Sequence, residues 1–155
     1  MLIGNPGLSL SQSQAQMAIW CILPAPLFMS NDPRTISSKF EFILLNRDAI
    51  AINQDKLAIP GERIFHNETI DIWRRELSDS NIAILLLNRV RGKHIRIQIP
   101  LAQIANEKMN KSSQVQVLDV FRGSFSLIDS NNPESNWIDV VVKPTGVAFM
   151  RLKPL

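Results

Sequence analysis

The pattern of apolar residues changes its period near residue 60, and this change constrains the fold more than any other feature. Before it, apolar residues recur at helical spacing, interrupted by one short continuous run. After it, short runs that alternate apolar and polar residues are separated by turn residues, as in β-strands with one solvated face. In the clearest example, Ile95, Ile97 and Ile99 alternate with Arg96 and Gln98. The chain therefore divides into a mixed α/β segment and an all-β segment.

The first segment predicts helix, strand and helix. Ser9 and Gln12 have the spacing of a capping box, and Pro24 ends the helix because its nitrogen cannot donate a hydrogen bond. The expected elements are a helix over 10–23, a short, fully apolar strand over 26–29, and a second helix over 37–45 that continues over 48–52. A helix, a short connection and a buried strand are typical of a βα barrel or a doubly wound fold.

The second segment predicts an antiparallel β-sandwich. Turn residues such as Asn67, Gly92 and Gly123 separate apolar runs of strand length. The expected strands cover 63–66, 70–77, 82–90, 95–101, 115–121, 124–128, 138–143 and 147–152. About eight short strands within one such segment are typical of a sandwich.

Residues that could carry chemistry are few. Cys21 is the only cysteine and lies in an apolar helical run, so we expect a buried, inert thiol. His66 and His94 have no carboxylate or cysteine at metal-ligand spacing, so we expect no metal and no cofactor. Trp20 and Trp73 lie within apolar patterns and are interpreted as core residues rather than sugar-stacking platforms.

Charge and hydropathy exclude two further classes of protein. The net charge is +3, and basic residues cluster around Gly92, where we expect a solvated hairpin tip. No Tyr or Phe is interleaved for base stacking, so we expect no nucleic-acid binding. The cluster comprises Arg89, Arg91, Lys93, His94 and Arg96. The most apolar segment, 17–29, is cut by Pro24 and Pro26 and is too short to cross a membrane.

Several exact strings resemble one enzyme family in order and spacing. In the first segment these strings are Gly4-Asn5-Pro6-Gly7-Leu8-Ser9, Gln16-Met17-Ala18-Ile19-Trp20, Ala25-Pro26-Leu27-Phe28-Met29-Ser30-Asn31-Asp32 and Ile50-Ala51-Ile52-Asn53-Gln54-Asp55. In the second they are Ile72-Trp73-Arg74-Arg75-Glu76-Leu77-Ser78, Leu86-Leu87-Asn88-Arg89 and Pro144-Thr145-Gly146-Val147. Together they resemble the end of the barrel and the C-terminal sandwich of melibiase-type alpha-galactosidases and alpha-N-acetylgalactosaminidases.

The resemblance implies a fold and a reaction. Residues 1–58 would be the last βα units of a (β/α)8 catalytic barrel, and residues 61–155 an antiparallel Greek-key β-sandwich. The whole enzyme would hydrolyse terminal alpha-linked galactose or N-acetylgalactosamine from glycolipids, glycoproteins or oligosaccharides, with retention of configuration. Retention needs two carboxyl groups about 5 Å apart. The family carries both aspartates on earlier barrel strands, so we expect this chain to lack them and to be inactive alone.

Two residues of the expected barrel portion, Met1 and Asp32, could lie near the substrate. By resemblance, Met1 is the one position expected to line the substrate. Alternatively, Met1 is the initiator of a truncated gene model and lines nothing. Asp32 follows the last expected barrel strand, at the face where such barrels keep their active sites, but its turn-forming neighbours favour a role in bracing the loop.

The resemblance also implies a compartment and an assembly. Asn67-Glu68-Thr69 and Asn110-Lys111-Ser112 are glycosylation sequons in predicted turns, so Asn67 and Asn110 are expected to carry glycans. A lysosomal or secreted glycoprotein that forms a homodimer is therefore expected, although the N-terminus has no signal-peptide pattern.

Two other functions remain open from the sequence. In the first, the sandwich is a noncatalytic module that binds glycans or a partner protein. In the second, the chain is a regulatory or scaffolding protein that dimerises. Under the glycosidase hypothesis, residues 1–58 would expose an apolar helix and unpaired strand amides, so we expect them to be poorly stable or to aggregate in isolation.

Overall fold

The computed structural model describes all residues from Met1 to Leu155. The helices are α1 (Leu10–Ile22), α2 (Ser38–Leu44), α3 (Arg47–Asn53) and α4 (Glu107–Lys111). The strands are β1 (Glu62–His66), β2 (Ile70–Glu76), β3 (Ile82–Asn88), β4 (Ile95–Pro100), β5 (Gln114–Asp119), β6 (Ser124–Asp129), β7 (Trp137–Val142) and β8 (Val147–Pro154). All eight predicted strands are present, with ends that differ from the prediction by two residues or fewer.

The strands form two antiparallel sheets, which confirms the predicted sandwich. The larger sheet has the order β1-β2-β3-β8-β5-β6, and the smaller one pairs β4 with β7. Strand β8, the last in sequence, lies between β3 and β5, so the chain returns to the middle of the sheet as in Greek-key arrangements.

Strand β3 is buried on both faces, and this explains its unbroken apolar sequence. Ile82, Ile84 and Leu86 point into a core between the two sheets. Ala83 and Leu85 point the other way, into a second core that they share with the helices. Strand side chains alternate between faces, so a strand with cores on both sides cannot alternate apolar and polar residues.

The helical unit, residues 1–58, packs on the outer face of the larger sheet. The predicted capping box is present: Ser9 Oγ accepts from the backbone N–H of Gln12 at 3.2 Å, and Gln12 Oε1 accepts from that of Ser9 at 2.9 Å. Met17, Ala18 and Cys21 of α1 lie in the same core as Leu85 and Phe149 of the sheet. The helices therefore have no apolar core that is independent of the sandwich.

Three sequence predictions were wrong. Residues 26–29 form no regular strand, and Phe28 is 78% exposed. The basic residues around Gly92 do not form a hairpin tip, because β3 and β4 belong to different sheets and their loop crosses between them. Asn110 lies on α4 rather than in a turn.

The two tryptophans interpreted as core residues, Trp20 and Trp73, are half-buried. Trp73 packs against the core beneath the helices. No helix of the structure is both long enough and apolar enough to span a membrane.

Candidate functional site

Met1 runs beside residues 28–30 at the start of the helical unit, before the chain turns at Ile3 and Gly4. The N-terminal amine of Met1 donates to the carbonyl of Phe28, and the N–H of Ser30 donates to the carbonyl of Met1 at 3.0 Å. Met1 thus bonds to the residue before Met29 and to the residue after it. This is the hydrogen-bond pattern of parallel strands in which Met1 is paired with Met29. We call residues 1–5 together with 28–32 the parallel edge.

Further contacts hold the parallel edge in place. Leu2 N–H donates to Gln16 Oε1 of α1 at 2.7 Å, and Asn5 Nδ2 donates to the carbonyl of Ser30 at 3.1 Å. Gly4 has a φ of 91°, and a Cβ there would lie 2.9 Å from the Ile36 side chain. Glycine suits this position, since a side chain would strain the backbone and displace the side chain of Ile36.

The parallel edge places Met1 next to Met29 but assembles no acid pair. Met1 is half-buried. Asp32 forms a bidentate ion pair with Arg34, with an Nη2–Oδ2 distance of 2.7 Å. Hydrogen bonds from the Arg34 side chain and backbone lower the pKa of Asp32, so its carboxylate stays charged and braces the loop. A proton donor for a leaving group needs the opposite shift.

His66 is hydrogen-bonded to a carboxylate, and Cys21 is buried. His66 Nδ1 bonds Asp71, which also lies 3.7 Å from both Arg63 and Arg89. No group of three or more His, Cys, Asp or Glu side chains could hold a metal ion. Burial raises the pKa of the Cys21 thiol to about 12, against the opposing charge of Arg75, so the thiolate nucleophile is not formed near neutral pH.

A buried arginine joins the helical unit to the sandwich. Arg75 on β2 is 1% exposed, and its guanidinium donates to three backbone carbonyls. Nη1 donates to Cys21 of α1 at 2.6 Å and to Ile52 of α3 at 2.7 Å, while Nε donates to Ile59 at 2.8 Å. Arg75 therefore places a positive charge at the C-terminal ends of two helices, where the helix dipoles favour it.

Asp55 makes a second junction between the two parts. Its carboxylate accepts from the backbone N–H of Ser78 at 3.0 Å, from Ser78 Oγ at 2.6 Å and from Leu57 N–H at 3.1 Å. Burial opposes ionisation of Asp55, but these hydrogen bonds and the charge of Arg75 outweigh it and lower the pKa. Asp55, the last residue of the string Asn53-Gln54-Asp55, thus binds the turn between β2 and β3 through hydrogen bonds.

Sequence reasoning missed Arg75, although a signal was available. The side chains of Trp73 and Arg75 on β2 point to the same face as that of Leu77, which lies in the core beneath the helices. A charged residue in the buried phase of a strand predicts a specific partner, because an unpaired buried charge is costly.

The two sequons lie in different surroundings. Asn67 is exposed in the turn between β1 and β2, and its Oδ1 accepts from Thr69 N–H, Thr69 Oγ1 and Ile70 N–H. This leaves its Nδ2, the atom that would carry a sugar, without a hydrogen bond. Asn110 is exposed on α4, and Ser112 of its sequon donates to the carbonyl of Leu155.

The helical unit exposes much apolar surface. Eight of the fifteen exposed large apolar side chains belong to residues 1–58. The largest fractions are those of Phe28 at 78%, Leu45 at 63% and Phe42 at 56%. Asn31 Oδ1 in the parallel edge is buried without a donor, which is costly for an acceptor.

Two family profiles match the chain in succession. The profile described as Alpha galactosidase A matches residues 1–55. The profile described as Alpha galactosidase A C-terminal beta sandwich domain matches residues 59–146, more than half of the chain. The chain belongs to the alpha galactosidase A family. This membership confirms the resemblance that the sequence strings indicated.

Curated relatives of the alpha galactosidase A family match the chain over different lengths. The alpha-N-acetylgalactosaminidase of Rattus norvegicus is 39% identical over 156 residues, covering 100% of this chain and 36% of the rat protein. Human alpha-galactosidase A is 45% identical over 89 residues, 57% of this chain and 21% of that protein. This chain therefore spans about a third of the length of the relatives that match it throughout.

Solved structures show the same fold. Alpha-galactosidase I from Mortierella vinacea superimposes with a TM-score of 0.84 at 23% identity, over 97% of this chain and 37% of that one. The shared fold thus includes both the helical unit and the sandwich.

Proposed function

We propose that this chain is the C-terminal part of a retaining glycosidase that hydrolyses terminal alpha-linked galactose or N-acetylgalactosamine. The observation that carries the proposal is the succession of two family profiles, one over the helical unit and one over the sandwich. Residues 1–58 would be the last βα units of the (β/α)8 catalytic barrel, and residues 61–155 the C-terminal domain.

The parallel edge supports this assignment to a barrel. A barrel strand is paired with parallel neighbours on both sides, whereas residues 28–30 are paired with Met1 alone. Earlier barrel strands would extend this pairing, and neighbouring barrel elements would cover Phe28, Phe42 and Leu45. They would also offer a donor to the buried Oδ1 of Asn31.

The catalytic aspartates would lie on those earlier strands. Retention needs one carboxylate to attack the anomeric carbon and a second carboxyl group, about 5 Å away, to protonate the leaving oxygen. Asp32 is held by Arg34, and Asp55 is committed to Ser78, so neither carboxylate is free for this chemistry. We therefore propose that this chain alone is inactive.

Met1 would be this chain's contribution to the sugar site. Its partner Met29 is the last residue of the expected barrel strand 26–29, and the C-terminal ends of barrel strands are where such folds bind substrate. An apolar side chain there would pack against the sugar ring without forming hydrogen bonds.

The remaining proposals concern the whole protein. Exposed sequons at Asn67 and Asn110 support a glycoprotein of the secretory pathway, either lysosomal or secreted. A homodimer is proposed from the family resemblance alone.

Hydrolysis of nitrophenyl glycosides tests the proposed function. The alpha-galactoside and the alpha-N-acetylgalactosaminide would each be offered to this chain alone and to a fusion in which the N-terminal part of the rat relative precedes it. Activity in the fusion only is expected, and the preferred glycoside would identify the sugar. Activity of the chain alone would contradict the placement of the aspartates, and inactivity of a folded fusion would contradict the glycosidase assignment.

A further inference from the structure

The smaller sheet exposes a tryptophan on its outer face, away from the helical unit. Trp137 opens β7 and is 45% exposed, whereas Ile138 on the opposite face of the strand is 4% exposed and lies in the core between the sheets. The indole Nε1 donates to the carbonyl of Pro133 at 3.2 Å. Because this bond fixes the ring, its exposed surface is presented in a defined orientation.

An ordered set of polar groups lies beside the indole on the same face. Asp139 follows Trp137 by two residues and is directly opposite Gln98 of β4. Gln98 Nε2 donates to Asp139 Oδ2 at 3.1 Å, and Arg96 Nε donates to Asp139 Oδ1 at 2.8 Å. The charges of Arg96 and Asp139 therefore compensate each other, and the amide and carboxylate are held in place.

Two open recesses flank the indole. Trp137, Ser135 and Asp139 line both of them. The recess toward β4 has a volume of about 500 Å³ and adds Gln98 and Glu134. The other, about 360 Å³, lies between β6 and β7, and its eight apolar lining residues include Ile138 and Met150 of the core between the sheets. A ligand that lies across Trp137 would reach into both recesses.

We propose that this face, centred on Trp137, binds a neutral oligosaccharide. A pyranose ring has one face rich in C–H groups, which suits the electron-rich face of an indole, and a rim of hydroxyls that donate and accept hydrogen bonds. With one ring stacked on Trp137, hydroxyls would reach Asp139 and Gln98, and further rings of the chain would extend into the recesses. This noncatalytic site is independent of the proposed hydrolysis.

The charge of the face favours a neutral glycan over other ligands. A polyanion would require an excess of cations, but Arg96 is paired with Asp139 and Glu134 adds a negative charge. A purely apolar partner would leave the carboxylate and amide without hydrogen-bonding partners.

Ligand-detected NMR on this chain tests the proposal, with raffinose, maltotriose and chitotriose as probes. We expect saturation transfer to at least one of them, with a Kd of about 1 mM or tighter. We also expect W137A to weaken binding by about tenfold or more and W137F by much less, since the phenyl ring keeps a stacking surface. F42A, which removes an exposed aromatic ring from α2, is the matched control and should leave the affinity unchanged.

Three results would overturn the proposal. The first is that no probe binds, and the second is that binding persists in W137A. The third is that no sugar binds and sedimentation shows a dimer that W137A dissociates and F42A does not. In the last case the face would be a contact between two copies. If W137A does not fold, the test is the indole N–H resonance of Trp137 in the wild type, which is assigned by its absence from the spectrum of W137F. We expect this resonance to shift when the sugar is added. A resonance that does not shift would contradict the site.

Discussion

The Arg75 guanidinium donates to the carbonyl of Cys21 at 2.6 Å, although the two residues are 54 positions apart in sequence. One residue belongs to the sandwich and the other to the last turn of α1. The same nitrogen bonds Ile52 of α3, so a single side chain joins β2 to two helices. Arg75 therefore fixes the orientation of the helical unit against the sheet.

Replacing Arg75 by methionine should destabilise the chain markedly. The substitution keeps an apolar stem but leaves the carbonyls of Cys21, Ile52 and Ile59 without donors, so we expect a loss of about 3 kcal/mol in the free energy of unfolding. R75K should lose less, because an ammonium keeps the charge and one or two of the bonds. Urea denaturation followed by circular dichroism measures both variants.

The control for Arg75 is R34M. The side chain of Arg34 is 86% exposed, so this substitution should change the free energy of unfolding by about 0.5 kcal/mol or less. An R75M variant as stable as the wild type would show that Arg75 is not a junction between the two parts.

Low pH should weaken the hydrogen bonds that the Asp55 carboxylate accepts from Ser78. The folded-state pKa of Asp55 is lowered, so its contribution to stability is fully present above the unfolded-state pKa of about 3.9 and is lost as the pH falls through the folded-state value. D55N should therefore be less stable than the wild type at pH 7, and the difference should shrink toward pH 3. Urea midpoints at pH 7, 5 and 3 test this.

D79N is the matched control for D55N. Asp79 is exposed with a φ of 60°, a conformation that asparagine also tolerates, so D79N should change the free energy of unfolding at pH 7 much less than D55N does. A constant difference between D55N and the wild type from pH 7 to pH 3 would contradict the role of the Asp55 carboxylate.

The strands were predictable from sequence because their signals are local. Period-2 alternation and turn residues locate each strand without knowledge of its partners, and the capping box of Ser9 with Pro24 locates α1. Pairing is not local. The residues around Gly92 have the pattern of a hairpin tip, yet β3 pairs with β2 and β8, because the apolar faces of distant strands determine which sheet each one joins.

The candidate site was less predictable than the fold. Residues 26–29 have the composition of a buried strand, but burial depends on neighbours, and here only Met1 pairs with them. Helix α4 is too short for an apolar period, although Asn106, which caps it, was a usable signal. Trp137 was missed, although Asp139, two residues further along β7, indicates that this face of the strand is solvated.

The helical unit and the sandwich should unfold together. Ile84 faces the core between the sheets and Leu85 the core beneath the helices, so both cores depend on β3. I84A and L85A should each cost about 3 kcal/mol, with helical and tertiary signals that change at the same urea concentration. The control L127A, at a side chain that is 59% exposed, should have little effect. A separate transition for the helices would contradict this coupling.

The apolar surface of the helical unit should make the isolated chain bind hydrophobic dyes and self-associate. Phe28 and Leu45 are 78% and 63% exposed, and surfaces of this kind attract other apolar surfaces. The double variant F28S/L45S should lower dye fluorescence and shift sedimentation toward the monomer, whereas L127S on the sandwich should change both much less. A wild-type chain that is monomeric and does not bind the dye would show that this surface is stable when exposed to solvent. That result would remove one argument for the proposed barrel.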